Sequence, residues 1–479
     1  MAEPSKLLHA PRDVIKLMLE ELNQSDREGF KKFRLVSKTC RRESEFLFFR
    51  TVALHDKTPS AKDASFAVMR RLADNQDSIV HLVWDLRVGP IGDEQWFYFE
   101  IHPALQDMIG NCTNIQSFTW LTHHGTGAGY GHYSAGRDPL TLFHKTQPSA
   151  RLDVVYRDRQ YTPIDRALLS SPQLHTLDIN AYYDSSDSFG RSELQILKKC
   201  LVEGNSVKVL RLGFDGVWLP RKYSEHDPRV RFQDWEGVTT GKLNFHWQRG
   251  DRFPALEELK IQYPHYQFTP DHCNMWARVM DWSKLRKLDL NRGSPRHLFA
   301  ALKDQLPNLK YLKFGIWGPN PGNSTWDLQP LDTGLPILSA FIVSITALNE
   351  LRFKSFAYED FMAALSIILE HQGAHLKRLD ISCRAYGMNA WKVEQYMEVL
   401  GKAPDLEYMK AKIKDGHLEG TWEDGGRALD PWDKFLSAVK NDKVVPEQKL
   451  SKKGEKKATG DPSSPYKGVR DARPLAFRR

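Results

Sequence analysis

Cysteine is scarce in this chain of 479 residues, with only Cys40, Cys112, Cys200, Cys273 and Cys383. They lie far apart, no CxxC occurs and the number is odd. Reduced, buried thiols are therefore expected, not a disulfide frame or a zinc site. Long apolar runs are missing too: no stretch approaches the ~18 uninterrupted apolar residues that span a bilayer. The opening residues Met1 to Lys6 are polar and lead into a helical pattern without the apolar core of a secretion signal. A cytoplasmic or nuclear chain with no membrane partner is the expectation.

Signatures of chemistry are equally thin. Neither a GxSxG elbow nor a Walker sequence nor HExxH is present. Gly125, Gly127, Gly129 and Gly131 alternate without spelling GxGxxG, and read as flexible chain. His123, His124, His132 and His144 share one segment but lack the helical spacing of a metal ligand set. Asn111 and Asn323 head N-x-T sequons that an intracellular chain would not use. No catalytic residue, metal or cofactor is expected, and the chain does not read as an enzyme.

Charge is confined rather than absent. The formal net charge is +8, yet residues 440–479 alone hold 12 Lys and Arg against 5 Asp and Glu. The body is nearly neutral and carries no basic footprint for nucleic acid. The tail, with Lys452–Lys457 followed by Pro462 and Pro465, has too few large apolar residues to offset the entropy of ordering. It reads as a disordered basic tail, although its lysines leave a nuclear-localisation or nucleic-acid role open as an alternative.

What the body does contain is a recurring LxxLxL, with any apolar residue at each L. Ten copies run from Ile79/Leu82/Trp84, Ile115/Phe118/Trp120, Leu174/Leu177/Ile179 and Val207/Leu210/Leu212 to Leu406/Met409/Ala411. Between these come Leu256/Leu259/Ile261, Leu285/Leu288/Leu290, Leu309/Leu312/Phe314, Leu348/Leu351/Phe353 and Leu376/Leu379/Ile381. The second and third positions alternate as a half-buried strand requires, and the first sits where the chain turns into it. Helical periodicity fills the gaps at 65–76, 191–203, 271–282, 295–306, 359–372 and 390–402. One strand and one helix cannot bury their own apolar faces, so such units must stack.

Among the last seven copies most gaps fall within 24 to 39 residues, and the pattern resembles the longer-repeat type of leucine-rich repeat. That family usually places Asn or Cys three residues after the third apolar position. Here Tyr182, Asp215, Pro264, Gly293, Trp317, Phe356, Arg384 and Lys414 stand there, so the usual turn ladder is not expected. The implied architecture is an irregular α/β repeat solenoid over 65–437.

Residues 7–52 form a separate helical segment. Pro11 suits a first helical turn, and Val14, Ile15, Met18, Leu19 and Leu22 make one apolar stripe. Ser25 and Glu28 have capping-box spacing for a second helix carrying Phe30, Phe33, Val36 and Cys40, with Leu35 at its edge. The segment keeps Pro11, Phe33-Arg34-Leu35-Val36-Ser37-Lys38, Arg41 and Phe48-Phe49-Arg50-Thr51-Val52. In these it resembles the F-box, most closely the F-boxes of fungal proteins. It departs at Ala10, where Leu is usual, and at Glu45, where Pro is common.

The resemblance implies a substrate receptor of an SCF-type cullin–RING ubiquitin ligase. Pro11, Ile15, Leu19, Leu22, Leu35, Val36 and Cys40 would face a Skp-type adaptor, and the repeats would hold an unknown target protein. A repeat scaffold that never joins a ligase is the alternative. For the target, three insertions at 122–162, 214–254 and 315–336 follow third apolar positions and should leave one edge. Trp218, Trp235, Trp247, Trp317 and Trp326 lie in the last two, which makes them the expected recognition residues. The competing expectation is that these tryptophans pin long loops to the core.

Overall fold

Alternation of apolar and polar residues decides the architecture. At the second motif position Leu177, Leu210, Leu259, Leu288, Leu312, Leu351 and Leu379 are wholly buried, while Arg211, Lys260, Lys313, Arg352 and Asp380, which follow the second position, stay partly open. A computed structural model describes residues 11–55, 59–89, 102–122, 137–157, 164–184, 191–216, 239–240, 244–261, 266–291, 295–316, 334–355, 358–383, 393–413 and 420–423. Residues 1–419 form one unit; of the second, 420–479, only the strand Gly420–Glu423 is described. The disordered-tail expectation therefore lies outside the described residues.

The first unit is a mixed α/β array. Three helices, α1 (Arg12–Ser25), α2 (Arg27–Val36) and α3 (Lys38–Arg50), open it. The strands follow as β1 (Thr51–Leu54), β2 (Asp85–Val88), β3 (Ser117–Thr122), β4 (Arg151–Tyr156), β5 (Leu174–Asp184), β6 (Arg191–Ser192) and β7 (Val209–Gly216). Then come β8 (Thr239–Thr240), β9 (Glu258–Ile261), β10 (Lys287–Asp289), β11 (Tyr311–Ile316), β12 (Glu350–Ser355), β13 (Arg378–Cys383) and β14 (Tyr408–Ile413). Apart from β6 and β8, which pair antiparallel beside β5, the strands of this unit form one open parallel sheet in chain order. Parallel neighbours need a crossover, and helices supply it.

Five of the six predicted helices lie within three residues of their expected starts, at Leu194–Gly204, Pro270–Val279, Arg296–Leu302, Tyr358–Gln372 and Val393–Lys402. Pro59–Ala73 starts six residues earlier than expected, and His102–Asn111, Arg137–Thr146 and Leu335–Val343 were not foreseen.

Three expectations are corrected. The first copy is not Ile79/Leu82/Trp84 but Val83/Leu86/Val88, all buried, because Asp77 caps a 3-10 turn over Ser78–His81 that consumes Ile79. Segment 122–162 is not an insertion alone: it contains the helix Arg137–Thr146 and β4, whose Leu152, Val154 and Tyr156 are buried. Polar Ser149 at the first motif position hid that unit. Finally, Phe49/Val52/Leu54 is itself a copy, so the boundary expected near residue 52 falls inside β1, and α3 runs directly into the sheet.

Two polar devices hold the units in register. A carbonyl one residue after the first apolar position accepts two successive N–H groups from the next unit. Trp84 accepts from Gln116 and Ser117, Lys310 from Asn349 and Glu350, and Lys377 from Glu407 and Tyr408. Buried and half-buried amide side chains do the rest. Asn111 donates to the Leu72 and Ala73 carbonyls, and Gln147 to that of Cys112. Gln372 donates to Ile342 (3.0 Å) and Ile345 (2.8 Å) while accepting from the Leu348 N–H (3.0 Å). Among the described residues the ladder between units thus lies at the entry to the strands.

Replacing Gln372 by Leu removes the partner of the Leu348 N–H and of the Ile345 carbonyl, while the Ile342 carbonyl keeps the Ile345 N–H, and should cost about 2–4 kcal/mol. Gly373→Ala should be comparably damaging, since an added Cβ would lie 2.3 Å from the Lys402 carbonyl oxygen. Urea midpoints and hydrogen exchange at the Leu348 amide check both.

Candidate functional site

Two surfaces stand out, the outer side of α1–α3 and the strand face that the helices leave open. In the first, capping sets the geometry. The Asp26 carboxylate, not Ser25, accepts from the Gly29 N–H at 2.8 Å and opens α2; the Ser25 hydroxyl instead donates to the Glu21 carbonyl. Ser37 adopts extended backbone, ends α2 and accepts from the Cys40 N–H at 3.1 Å to open α3. The single second helix expected from the sequence is therefore two.

This break divides the apolar residues. Ile15, Leu19, Phe30 and Leu47 form an internal core, with Leu22, Phe33 and Phe46 packed against it. Cys40 is buried as well. Left outside are Val14, Leu17 and Met18 on α1, Leu35 and Val36 at the end of α2, and Phe48 on α3. Leu35 is 86% exposed and Val36 66%, values that no packing role explains. Arg34 lies over the Phe48 ring at 3.4 Å from its centroid, joining α2 to α3.

Of the residues expected to face an adaptor, Pro11, Leu35 and Val36 point outward, Leu22 is half-buried, and Ile15, Leu19 and Cys40 are turned inward. Helical periodicity grouped Val14 and Met18 with Ile15 and Leu19 in one stripe. Packing splits that stripe along the helix into an inner and an outer row.

The open strand face was not foreseen. Along one in-register row it reads Asp178, Arg211, Lys260, Asp289, Lys313, Arg352, Asp380 and Lys410 from β5 to β14. These are the residues between the second and third motif positions, a place that a search for apolar residues passes over. Arg211 bonds Glu258 at 2.7 Å, Lys313 bonds Asp289 at 3.1 Å and Arg352 bonds Glu350 at 2.9 Å. Lys260 makes no ion pair among the described residues. In the adjacent row Tyr311 lies under Lys287 (5.1 Å) and Arg352 (5.8 Å), and Tyr408 under Arg378 (4.6 Å).

The tryptophans fare differently. Trp218, Trp235, Trp317 and Trp326 lie outside the described residues, as do Gly125–Gly131, His123, His124, His132 and Asn323. Trp247 is half-buried in a cluster with Phe245, Phe253, His272 and Trp276, stacked 6.0 Å from His272. Lys198, itself buried, donates to both the His246 carbonyl and Asp251, each at 2.9 Å, and pins this segment to helix Leu194–Gly204. Burial pushes the Asp251 carboxyl up, but the Gln248 N–H and the Lys198 ammonium outweigh it and hold it below its usual range. Trp247 thus anchors a connection to the core.

His144 bonds Ser171, and Asn111 caps the preceding unit, so both carry structural bonds. All five cysteines are buried and none forms a disulfide; burial pushes the Cys112 and Cys273 thiols up to about 12. Among the described residues no group of three or more His, Cys, Asp and Glu is placed to hold a metal ion, and no helix is long and apolar enough to cross a membrane.

The cluster around Trp247 makes a pH prediction. His272 Nδ1 faces the Phe245 carbonyl and must donate, while Nε2 faces the Tyr266 hydroxyl, each at 3.0 Å. Burial drives its pKa from 6.5 to about 3, so the unfolded chain takes up the proton first. This contribution is complete above pH 6.5 and is lost as pH falls toward 3, on the order of 2 kcal/mol by pH 5. Urea midpoints read by tryptophan fluorescence should fall over that window, and less so for His272→Gln. No protein-family model matches the sequence, and no curated protein matches it either.

Proposed function

We propose that this protein is a substrate-receptor subunit of an SCF-type cullin–RING ubiquitin ligase. Helices α1–α3 act as an F-box that docks on a Skp-type adaptor, and the strand–helix array, read as an irregular leucine-rich-repeat solenoid, holds a target protein. The carrying observation is the exposure of Leu35 and Val36 on a helical unit whose inner apolar residues are already consumed. Exposed apolar clusters of this kind mark interaction sites. The two residues fall in Phe33-Arg34-Leu35-Val36-Ser37-Lys38, the run that most resembles an F-box.

The docking set follows the packing. Pro11, Leu35 and Val36 face the adaptor together with Val14, Leu17 and Met18, while Ile15, Leu19, Leu22 and Cys40 shape the helices behind them. The protein breaks no bonds in this reading and needs no cofactor. It acts by holding target lysines near a charged conjugating enzyme, which raises their effective concentration. Such work belongs in the cytoplasm or nucleus.

The competing reading makes α1–α3 a cap on a scaffold that joins no ligase, and the unbroken passage of α3 into edge strand β1 favours it. A role for the basic tail in binding nucleic acid rests on residues outside the described ones.

Co-purification with a Skp-type adaptor separates the first two. Leu35→Asp with Val36→Asp should abolish capture while changing stability by no more than about 0.5 kcal/mol, as exposed sites do. Ile15→Asp should lose capture and fold together, because it buries a charge. Capture that survives the double change, or none by the unaltered chain, rules out the ligase reading.

A further inference from the structure

We propose that the open strand face from β9 to β14 is the target-holding surface and that it takes an extended, carboxylate-rich polypeptide segment. This assignment rests on reading the repeats as the target-binding half of a ligase subunit.

The first support is a surplus of cations, two pairs of which stand side by side although carboxylates flank them. Lys313 stands directly in register with Arg352, and Lys260 with Arg211. Like charges opposite one another on neighbouring strands are destabilising. Over the described outward positions of β9–β14, seven Lys and Arg face four Asp and Glu. The four carboxylates are spread among the cations, so the surplus positive charge is divided into separated places.

That division selects the partner. A nucleic-acid backbone presents a phosphate at every step and would meet the four carboxylates as well as the cations. A polypeptide can carry its carboxylates apart and leave neutral residues opposite Asp289 and Asp380. Tyr311 and Tyr408, whose rings carry Lys287, Arg352 and Arg378 over them, bring phenol hydroxyls suited to such neutral residues.

Spacing follows from the sheet. Neighbouring strands lie about 4.8 Å apart, so Lys260 and the Lys313–Arg352 pair are separated by roughly 10 to 14 Å. An extended chain covers that distance in about three or four residues. The matching segment carries Asp or Glu at every third or fourth position.

The test uses the full chain and a fluorescent peptide of about 15 residues with Glu at every third position among Ser and Ala, in about 0.1 M salt. Anisotropy should report binding that a Lys-bearing counterpart does not show. Lys260→Glu disturbs no ion pair among the described residues, and alone should weaken binding severalfold. Adding Arg352→Glu should bring the loss to about tenfold or more. Lys452→Glu with Lys453→Glu should leave affinity unchanged.

Affinity within twofold of the unaltered chain in the doubly changed face, or loss traced to the tail, overturns the proposal. So does a single-stranded oligonucleotide of equal length that displaces the peptide and depends more steeply on the same face. Adaptor capture by the face variants separates the two ideas. It should persist, and its absence in the unaltered chain would sink the ligase reading while face-dependent peptide binding stood.

Discussion

A single backbone arrangement governs this molecule: one carbonyl at the start of a strand accepts two consecutive N–H groups from the next unit. It recurs at Trp84, Lys208, Glu257, Arg286, Lys310, Asn349 and Lys377, always one residue after a buried first motif position. Because a parallel strand has period two, a one-residue slip would turn the apolar row outward. At these seven places the shared carbonyl fixes a strand against its neighbour. Buried apolar pairs such as Leu312 with Leu351, and Phe314 with Phe353, then reward that register.

The same constraint explains what could be read from the sequence. Nine of the ten expected copies hold their strand positions because three apolar residues at fixed spacing leave no other phase. The first copy failed because Ile79/Leu82/Trp84 and Val83/Leu86/Val88 overlap, and only the Trp84 carbonyl with the Asp77-capped turn distinguishes them. The β4 unit failed for the opposite reason: Ser149 breaks the motif. The pairing also slips at Leu152/Asp153, so that Phe118 aligns with Leu152 but Leu177 with Val154. Periodicity detects a repeat only where each position is apolar, whereas pairing requires only that the backbone be free to bond.

Helices α1–α3 were legible in outline and not in side. Helical spacing finds which residues share a stripe, but a stripe this broad contains two rows, and Phe30 and Leu47 from the other helices decide which row turns inward. Nothing in the order Val14, Ile15, Met18, Leu19 carries that information. Similarly, Ser25 and Asp26 are both good caps, and only the bond from Gly29 shows which one starts the helix. Such choices are settled by tertiary packing, where local preference is nearly balanced.

The charged row on the open strand face leaves no mark in a sequence pattern built on apolar and aromatic residues. Tryptophan is a strong signal in an interface, but it is an equally strong signal in a core, and Trp247 shows the second use. A residue facing out from a parallel strand is constrained by neither core nor turn. Its chemistry is therefore free to serve a partner, subject only to cross-strand repulsion. At Lys313 and Arg352 such positions set two cations side by side, and the ion pairs to Asp289 and Glu350 offset that repulsion only in part. A partner's carboxylates would relieve the remaining repulsion, which is why the open strand face is the surface proposed to hold a target.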